Sequence, residues 1–146
     1  MVCGRGGSVN VNVEAGVVQR AVAALNGGDI DAYLEAFALD CLRWVSGLDM
    51  PFTVPDIREN LSQLFAAFDR LQLREDLLFG GDGHVCARWT LSGIHTGEYG
   101  GIAPTHREIA VETCEVYTFT GGKVTECHVY GETMGLFNQL SGSTHE

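Results

Sequence analysis

The chain has 146 residues, of which 45% are hydrophobic and 19% charged, and its formal net charge is −10. This size and composition are typical of one folded domain with a single core. The acidic balance argues against nucleic acids and anionic membrane surfaces as partners, because both require a basic protein surface. No apolar run approaches the ~20 residues of a membrane span, and the first residues lack the apolar segment of a signal peptide. We therefore expect a cytoplasmic protein.

Cysteine and histidine residues do not cluster along the chain. An odd number of widely spaced cysteines argues against a disulfide framework and against a zinc cluster. The five histidines are equally scattered, and no GxGxxG motif follows a strand and opens a helix. We therefore expect neither a metal nor a cofactor. The five cysteines are Cys3, Cys41, Cys86, Cys114 and Cys127.

The first third of the chain predicts two helices and a short strand. Residues 1–12 are rich in Gly, Asn and Val and are expected to form a flexible arm. The apolar spacing predicts a helix over Val13–Leu25, which the Asn26-Gly27-Gly28 sequence ends. Asp29 is a candidate cap for a second, short helix. Residues Leu42–Val45 then suggest a short strand.

A third helix has the clearest start signal. Thr53 can cap it, Pro55 suits its first turn, and Asp56 sits at the positive end of the helix dipole. Four strands follow, and glycine-rich turns over 80–83 and 120–122 predict hairpins. Helices followed by a meander of strands predict an α+β domain over residues 13–142, with a curved antiparallel sheet wrapped around three N-terminal helices and 143–146 as a tail. The predicted strands are Leu71–Phe79, His84–Ile94, Glu108–Phe119 and Lys123–Tyr130.

The last predicted strand runs directly into an apolar helical segment, KVTECHVYGETMGLFNQL. Because successive side chains of a strand point to opposite faces, Glu126, His128 and Tyr130 share one face. Cys127 and Val129 fall on the other. An imidazole and a carboxylate near the strand end, beneath apolar residues that include Met134, are typical of a small-molecule pocket.

Two segments carry a resemblance to a known family. The text SGIHTGEYGGIAPTHR resembles the "GTHTGEFxGIPPTG" loop of the SnoaL-like polyketide cyclases, and ECHVYGETMGLFNQLSG resembles their "EHWDVxDxLGLLxQLG" ending. These proteins share the fold named after nuclear transport factor 2, which also includes ketosteroid isomerase. The resemblance covers roughly residues 14–142. It implies a cone-shaped domain with an internal pocket, and a homodimer that packs through the outer face of the sheet.

Glu132 is the first candidate acid or base, because the resemblance aligns it with the second acidic position of the "WDVxD" segment. An apolar surround would raise the pKa of its carboxyl group and allow proton transfer near neutral pH. A solvent-exposed carboxylate at a helix start is the alternative. Where the family has "WD", this chain has His128 and Val129. If the family acid is that Asp, another group must replace it.

Three further residues are candidates for chemistry. Glu115 lies in mid-strand, where a carboxylate is poorly explained unless it lines a cavity, faces solvent or pairs with Arg88. His128 could relay protons or be a hydrogen-bonded core histidine. His95 could donate a hydrogen bond to a substrate carbonyl or simply hold the loop that it opens. Large rings that could line the pocket or belong to the core are Trp44, Trp89, Tyr33, Tyr117, Tyr130 and Phe65.

The resemblance and these residues predict a cofactor-independent cyclase acting on a polyketide or related natural product. Ring closure could be an aldol addition with acid/base catalysis, as the proton abstraction of ketosteroid isomerase illustrates, or a Diels–Alder-like closure directed by pocket shape. An epoxide-opening cyclase or hydrolase and a non-catalytic binding or assembly module are the alternatives.

Overall fold

The computed structural model describes residues 12–131 and 133–142, without the side chains of Thr133 and Met134. Most of the predicted arm, the predicted tail and Glu132 therefore lie outside the described residues. The elements in chain order are α1 (Val13–Asn26), α2 (Ile30–Leu34), β1 (Phe37–Val45), α3 (Val54–Ala67), β2 (Phe68–Gly81), β3 (His84–His95), β4 (Glu108–Thr120), β5 (Lys123–Gly131) and α4 (Thr133–Ser141).

The five strands form one curved, unclosed sheet in the order β1-β5-β4-β3-β2. Neighbouring strands are antiparallel except β1 and β5, which are parallel. Helices α1 and α3 pack on strands of this sheet, and α2 packs on both of them. The predicted α+β class, with helices on a curved sheet, is confirmed.

The helix starts follow the capping signals of the sequence. The Asn12 side chain accepts a hydrogen bond from the Ala15 amide, and Asp29 does the same for Ala32. Thr53 and Asp56 form a capping box, in which each side chain accepts from the other residue's backbone amide. These interactions satisfy amide groups that would otherwise have no partner at a helix start.

Strand β1 is longer than the sequence predicted. It begins at Phe37 rather than Leu42, and a register shift lies between these two residues in the pairing with β5. This irregularity interrupts the alternation by which a strand is recognised. Strand β2 likewise extends beyond its predicted bounds and contains two register shifts. In β1, Cys41 is buried, and the register with β5 puts Arg43 on the same inward face.

The core consists of two clusters of buried side chains. The larger one joins α1, α2 and α3 to the inner face of the sheet and contains Trp89 and Tyr117. The smaller one lies where α3 meets β2 and includes Phe68, Ile109 and Leu140, the last of which comes from α4. No helix within the described ranges is long and apolar enough to cross a membrane.

Candidate functional site

A cavity of about 320 Å³ lies between the inner face of the sheet and the helices. This volume is at the lower end of the range of about 300–1,000 Å³ found for small-molecule sites. Most of its lining is apolar, and its polar groups include Arg43 and Glu115. Apolar side chains that line it include Val45, Ile57, Leu61, Phe65, Leu91 and Val129.

A buried ion pair stands in the wall of this cavity. The Arg43 Nη2 atom donates to Oε2 of Glu115 over 3.0 Å, and only 5% of Glu115 is exposed. The other carboxylate oxygen, Oε1, accepts a hydrogen bond from the Tyr117 hydroxyl. Burying charge is costly unless the group is paired and hydrogen-bonded, and both conditions are met here. We call Arg43 and Glu115 together the Arg43–Glu115 pair.

The sheet register explains how the pair forms across an intervening strand. Arg43 on β1 is opposite Cys127 of β5, whereas Glu115 on β4 is opposite Val129 of the same strand. Since Cys127 and Val129 both point inward, Arg43 reaches past small apolar side chains to the carboxylate. The short side chain of Val129 therefore leaves room for the pair.

Hydroxyl and thiol groups next to the pair are held in their neutral forms. Burial raises the pKa of Tyr33, Tyr117 and Cys127, and the negative charge of Glu115 adds to each rise. Burial also raises the pKa of the Cys41 thiol from 9.0 to about 11. Burial opposes the charged form of Arg43 most strongly, but Glu115 together with Tyr33, Cys127 and Tyr117 outweighs it and raises the Arg43 pKa, so the guanidinium stays protonated.

These shifts predict a loss of stability at alkaline pH. In the unfolded chain, thiols titrate near 9.0 and phenols near 10.0, below their pKa values in the folded protein. These groups therefore contribute their full stabilisation of the folded state below about pH 8. That contribution is lost above about pH 9, as the unfolded state releases its protons. Urea unfolding at increasing pH should show this decline, and Tyr117→Phe should lessen its slope. A free energy of unfolding that stays constant to about pH 11 would contradict it.

His95 lies where β3 ends and the following loop begins. Its side chain is 0% exposed, and its Nδ1 atom accepts a hydrogen bond from the Thr105 amide over 3.1 Å. Its backbone also pairs with His106 and Arg107, which closes the base of the loop. The loop carries Tyr99 to the cavity, where the Tyr99 ring stacks on Phe137 of α4. Among the described residues that line the cavity, His95 does not appear.

Three predicted site residues lie on the outer face of the sheet. The His128 ring stacks between Trp44 and Tyr130, with ring centroids 6.4 Å apart on both sides. Tyr130 is 51% exposed, and Glu126 lies 3.8 Å from His128. Neither His128 nor Tyr130 is among the described residues that line the cavity. The inward residue at this end of β5 is Val129.

The remaining predicted residues divide between the cavity and the core. Tyr33, Phe65 and Glu115 line the cavity. Tyr117 and Trp89 are buried in the larger core cluster. Tyr117 donates a hydrogen bond to Glu115, which lines the cavity. Glu132 and the Met134 side chain lie outside the described residues, so their predicted roles stay predictions.

Arg43 is the residue of this site that the sequence did not reveal. The suggested partner of Glu115 was Arg88, but Arg88 is exposed and lies opposite Cys114 on the outer face. The usable signal was the position of Arg43, two residues from Cys41 and two from Val45, on the strand face that carries these apolar side chains. Within the described ranges, no group of three or more His, Cys, Asp or Glu side chains is arranged to hold a metal ion.

Solved structures of low sequence identity share this fold. AclR from Streptomyces galilaeus, described as a candidate hydroxylase, has a TM-score of 0.81 at 23% identity, over 89% of this chain and 96% of AclR. IdmH from Streptomyces antibioticus, described as a candidate polyketide cyclase, has a TM-score of 0.77 at 18% identity, over 89% and 99%. TsrD from Streptomyces laurentii has a TM-score of 0.78 at 19% identity, over 94% and 100%.

The sequence itself identifies the family. No curated protein matches the chain significantly. The family model described as SnoaL-like polyketide cyclase matches residues 15–140. Since this match spans most of the 146 residues, the chain belongs to the SnoaL-like polyketide cyclase family.

Proposed function

We propose that this protein closes a ring in a polyketide or related natural-product intermediate, and that the Arg43–Glu115 pair carries the chemistry. The observation that supports the proposal most is the position of this pair, a hydrogen-bonded carboxylate and guanidinium in the wall of an apolar cavity. Family membership supports the substrate class. The proposal assigns no cofactor to the reaction.

In the acid/base version of the reaction, the Glu115 carboxylate removes a proton from a carbon next to a substrate carbonyl. The resulting enolate oxygen accepts hydrogen bonds from Arg43, whose guanidinium has five N–H donors. The enolate carbon then attacks a second carbonyl of the same molecule and forms the new carbon–carbon bond. The new alkoxide takes the proton back from Glu115, so that the product is an isomer of the substrate.

The absence of a carboxylate at position 129 leaves two further versions of ring closure. Glu132, which the sequence favoured, could serve as the acid or base in place of Glu115. Alternatively, the apolar cavity folds the substrate for a pericyclic closure, because positioning alone can lower a barrier by several kcal/mol. Replacing each glutamate by glutamine distinguishes the three versions.

The function is tested in a producer strain from which this gene has been deleted. A cyclase predicts that the strain accumulates an uncyclised compound with the same exact mass as the normal intermediate. An accumulated compound that differs by water or oxygen would instead support epoxide opening, hydrolysis or hydroxylation. An unchanged metabolite profile would support a binding or assembly module and contradict the proposal.

We also propose a homodimer that forms through the outer face of the sheet. That face presents the stacked rings of Trp44, His128 and Tyr130, with Tyr130 half-exposed. Exposed aromatic side chains are typical of interface centres. Light scattering at micromolar concentration should give twice the monomer mass of 15.8 kDa, and Tyr130→Lys should shift the protein toward the monomer. A monomer mass for the unaltered chain would contradict the dimer.

A further inference from the structure

An open groove adjoins the cavity along helix α3. It has a volume of about 540 Å³, and it shares Leu48, Phe52 and Asn60 with the lining of the cavity. One wall is the loop after β1, with Leu48, Met50 and Phe52. The other wall is the outer side of α3, with Asp56, Glu59 and Gln63. The two spaces are therefore continuous in their lining.

The loop of this groove is fixed to the residue that carries the proposed chemistry. Phe52 and Arg43 exchange two backbone hydrogen bonds, of 2.9 and 2.8 Å. A molecule lying along the loop would therefore have a defined position relative to the Arg43–Glu115 pair. Before Phe52 the loop presents exposed apolar side chains, since Met50 is 74% and Leu48 50% exposed. Leu48 and Met50 both line the groove, and exposed apolar side chains grouped beside a cavity are typical of a binding surface.

The cavity is small for a bulky substrate, so part of such a substrate would have to lie in the adjoining groove. At about 320 Å³ it is near the lower limit for small-molecule sites. We infer that the groove is a second subsite, which binds the apolar chain of a substrate whose ring-forming end occupies the cavity. This inference rests on the proposed function, because the same molecule occupies both spaces.

The charges of the groove limit which chain it accepts. Asp49, Asp56 and Glu59 lie along it, and the described residues that line it include no lysine or arginine. Hydrogen bonds from Thr53 lower the pKa of Asp56, so its carboxyl group is ionised at neutral pH. An anionic chain end would be repelled, whereas a neutral or amine-bearing chain would be accepted. The substrate is thus an apolar chain without a free terminal carboxylate.

Calorimetric binding of methyl-, pentyl- and nonylresorcinol to the full chain tests the inference. Each resorcinol head group is small enough for the cavity, and only the longer chains reach the groove. Affinity should rise by about tenfold or more from the methyl to the nonyl compound, as apolar area is buried. Met50→Ser should weaken nonyl binding by about fivefold and leave methyl binding unchanged. Leu39→Ser is the matched control, since Leu39 is 93% exposed and borders neither space.

The outcomes separate the groove from the proposed function. Equal affinities for all three compounds would overturn the assignment of the groove as a subsite. Equal effects of Met50→Ser and Leu39→Ser would do the same, and both results would leave the cavity assignment intact. Absence of binding by every compound would overturn the placement of the ring-forming end in the cavity and, with it, the groove, whereas ring closure itself is tested in the deletion strain. A nonyl chain ending in a carboxylate should lose the gain in affinity, and an equally tight complex with that compound would overturn the charge argument.

Discussion

Glu115→Gln should lower the rate of ring closure by about a hundredfold or more, with little change in KM. Glutamine keeps the shape of the side chain and can still accept a hydrogen bond from Tyr117, but it cannot take a proton. Losing a general base typically costs a factor of about 10²–10⁴. Single-turnover rates with the compound that accumulates in the deletion strain measure this effect. Glu108→Gln, an exposed carboxylate at the start of the same strand, is the control and should be fully active.

Stability must be separated from chemistry in this experiment. Glu115→Gln alone leaves the Arg43 charge buried without a charged partner, which should cost about 3–5 kcal/mol of unfolding free energy. Combining it with Arg43→Met removes both charges and should recover most of that loss. The double variant should nevertheless remain inactive. A folded but inactive double variant thus assigns the effect to the pair rather than to unfolding.

The alternative versions of ring closure give different results. If Glu132→Gln lowers the rate of ring closure by about a hundredfold while Glu115→Gln lowers it only a few-fold, Glu132 is the acid or base. The assignment to Glu115 is then wrong. If both variants lose only a few-fold, ring closure is directed by the shape of the cavity. In that case enlarging the cavity with Phe65→Ala should reduce the rate more than either glutamine substitution.

Val129→Asp should destabilise the folded protein by about 3 kcal/mol at neutral pH. Val129 is 9% exposed and lies in register with Glu115 on one side and Val45 on the other. A carboxylate introduced there would stand beside the Glu115 carboxylate, and Arg43 already donates to that group. An aspartate at this position, as in the motif that this segment resembles, would therefore conflict with the Arg43–Glu115 pair.

The pH dependence distinguishes charge from size in this variant. Burial and the Glu115 charge would raise the pKa of the new carboxyl group in the folded state above its unfolded value of about 4. Its penalty should therefore be small below that pH and grow as the pH rises to neutrality. Val129→Asn is the matched neutral control. Its loss of unfolding free energy relative to the unaltered protein should not change with pH. Identical pH profiles for the two variants would refute the electrostatic account.

Local signals in the sequence were sufficient for most of the fold. The Asn26-Gly27-Gly28 stop, the Thr53–Asp56 capping box and the glycine turns between strands each depend on neighbouring residues alone. The ends of β1 and β2 were less predictable, because register shifts interrupt their alternation. Those shifts depend on the partner strand, whose position is a tertiary property.

The site was less predictable than the fold for a related reason. Alternation separated His128 from Val129 but did not say which of the two faced the helices. The mid-strand position of Glu115 suggested a cavity, and the structure places it in one. Its partner Arg43 is 72 residues away in the chain and reaches it across β5. A contact of this kind depends on strand order, which local patterns do not encode.

The most direct test of the account is to add purified protein to the accumulated precursor and follow its mass. The account predicts complete conversion to a cyclised compound of identical mass by the protein alone, and conversion slowed about a hundredfold by Glu115→Gln. A precursor that stays unchanged, or a product that differs by water or oxygen, would contradict it.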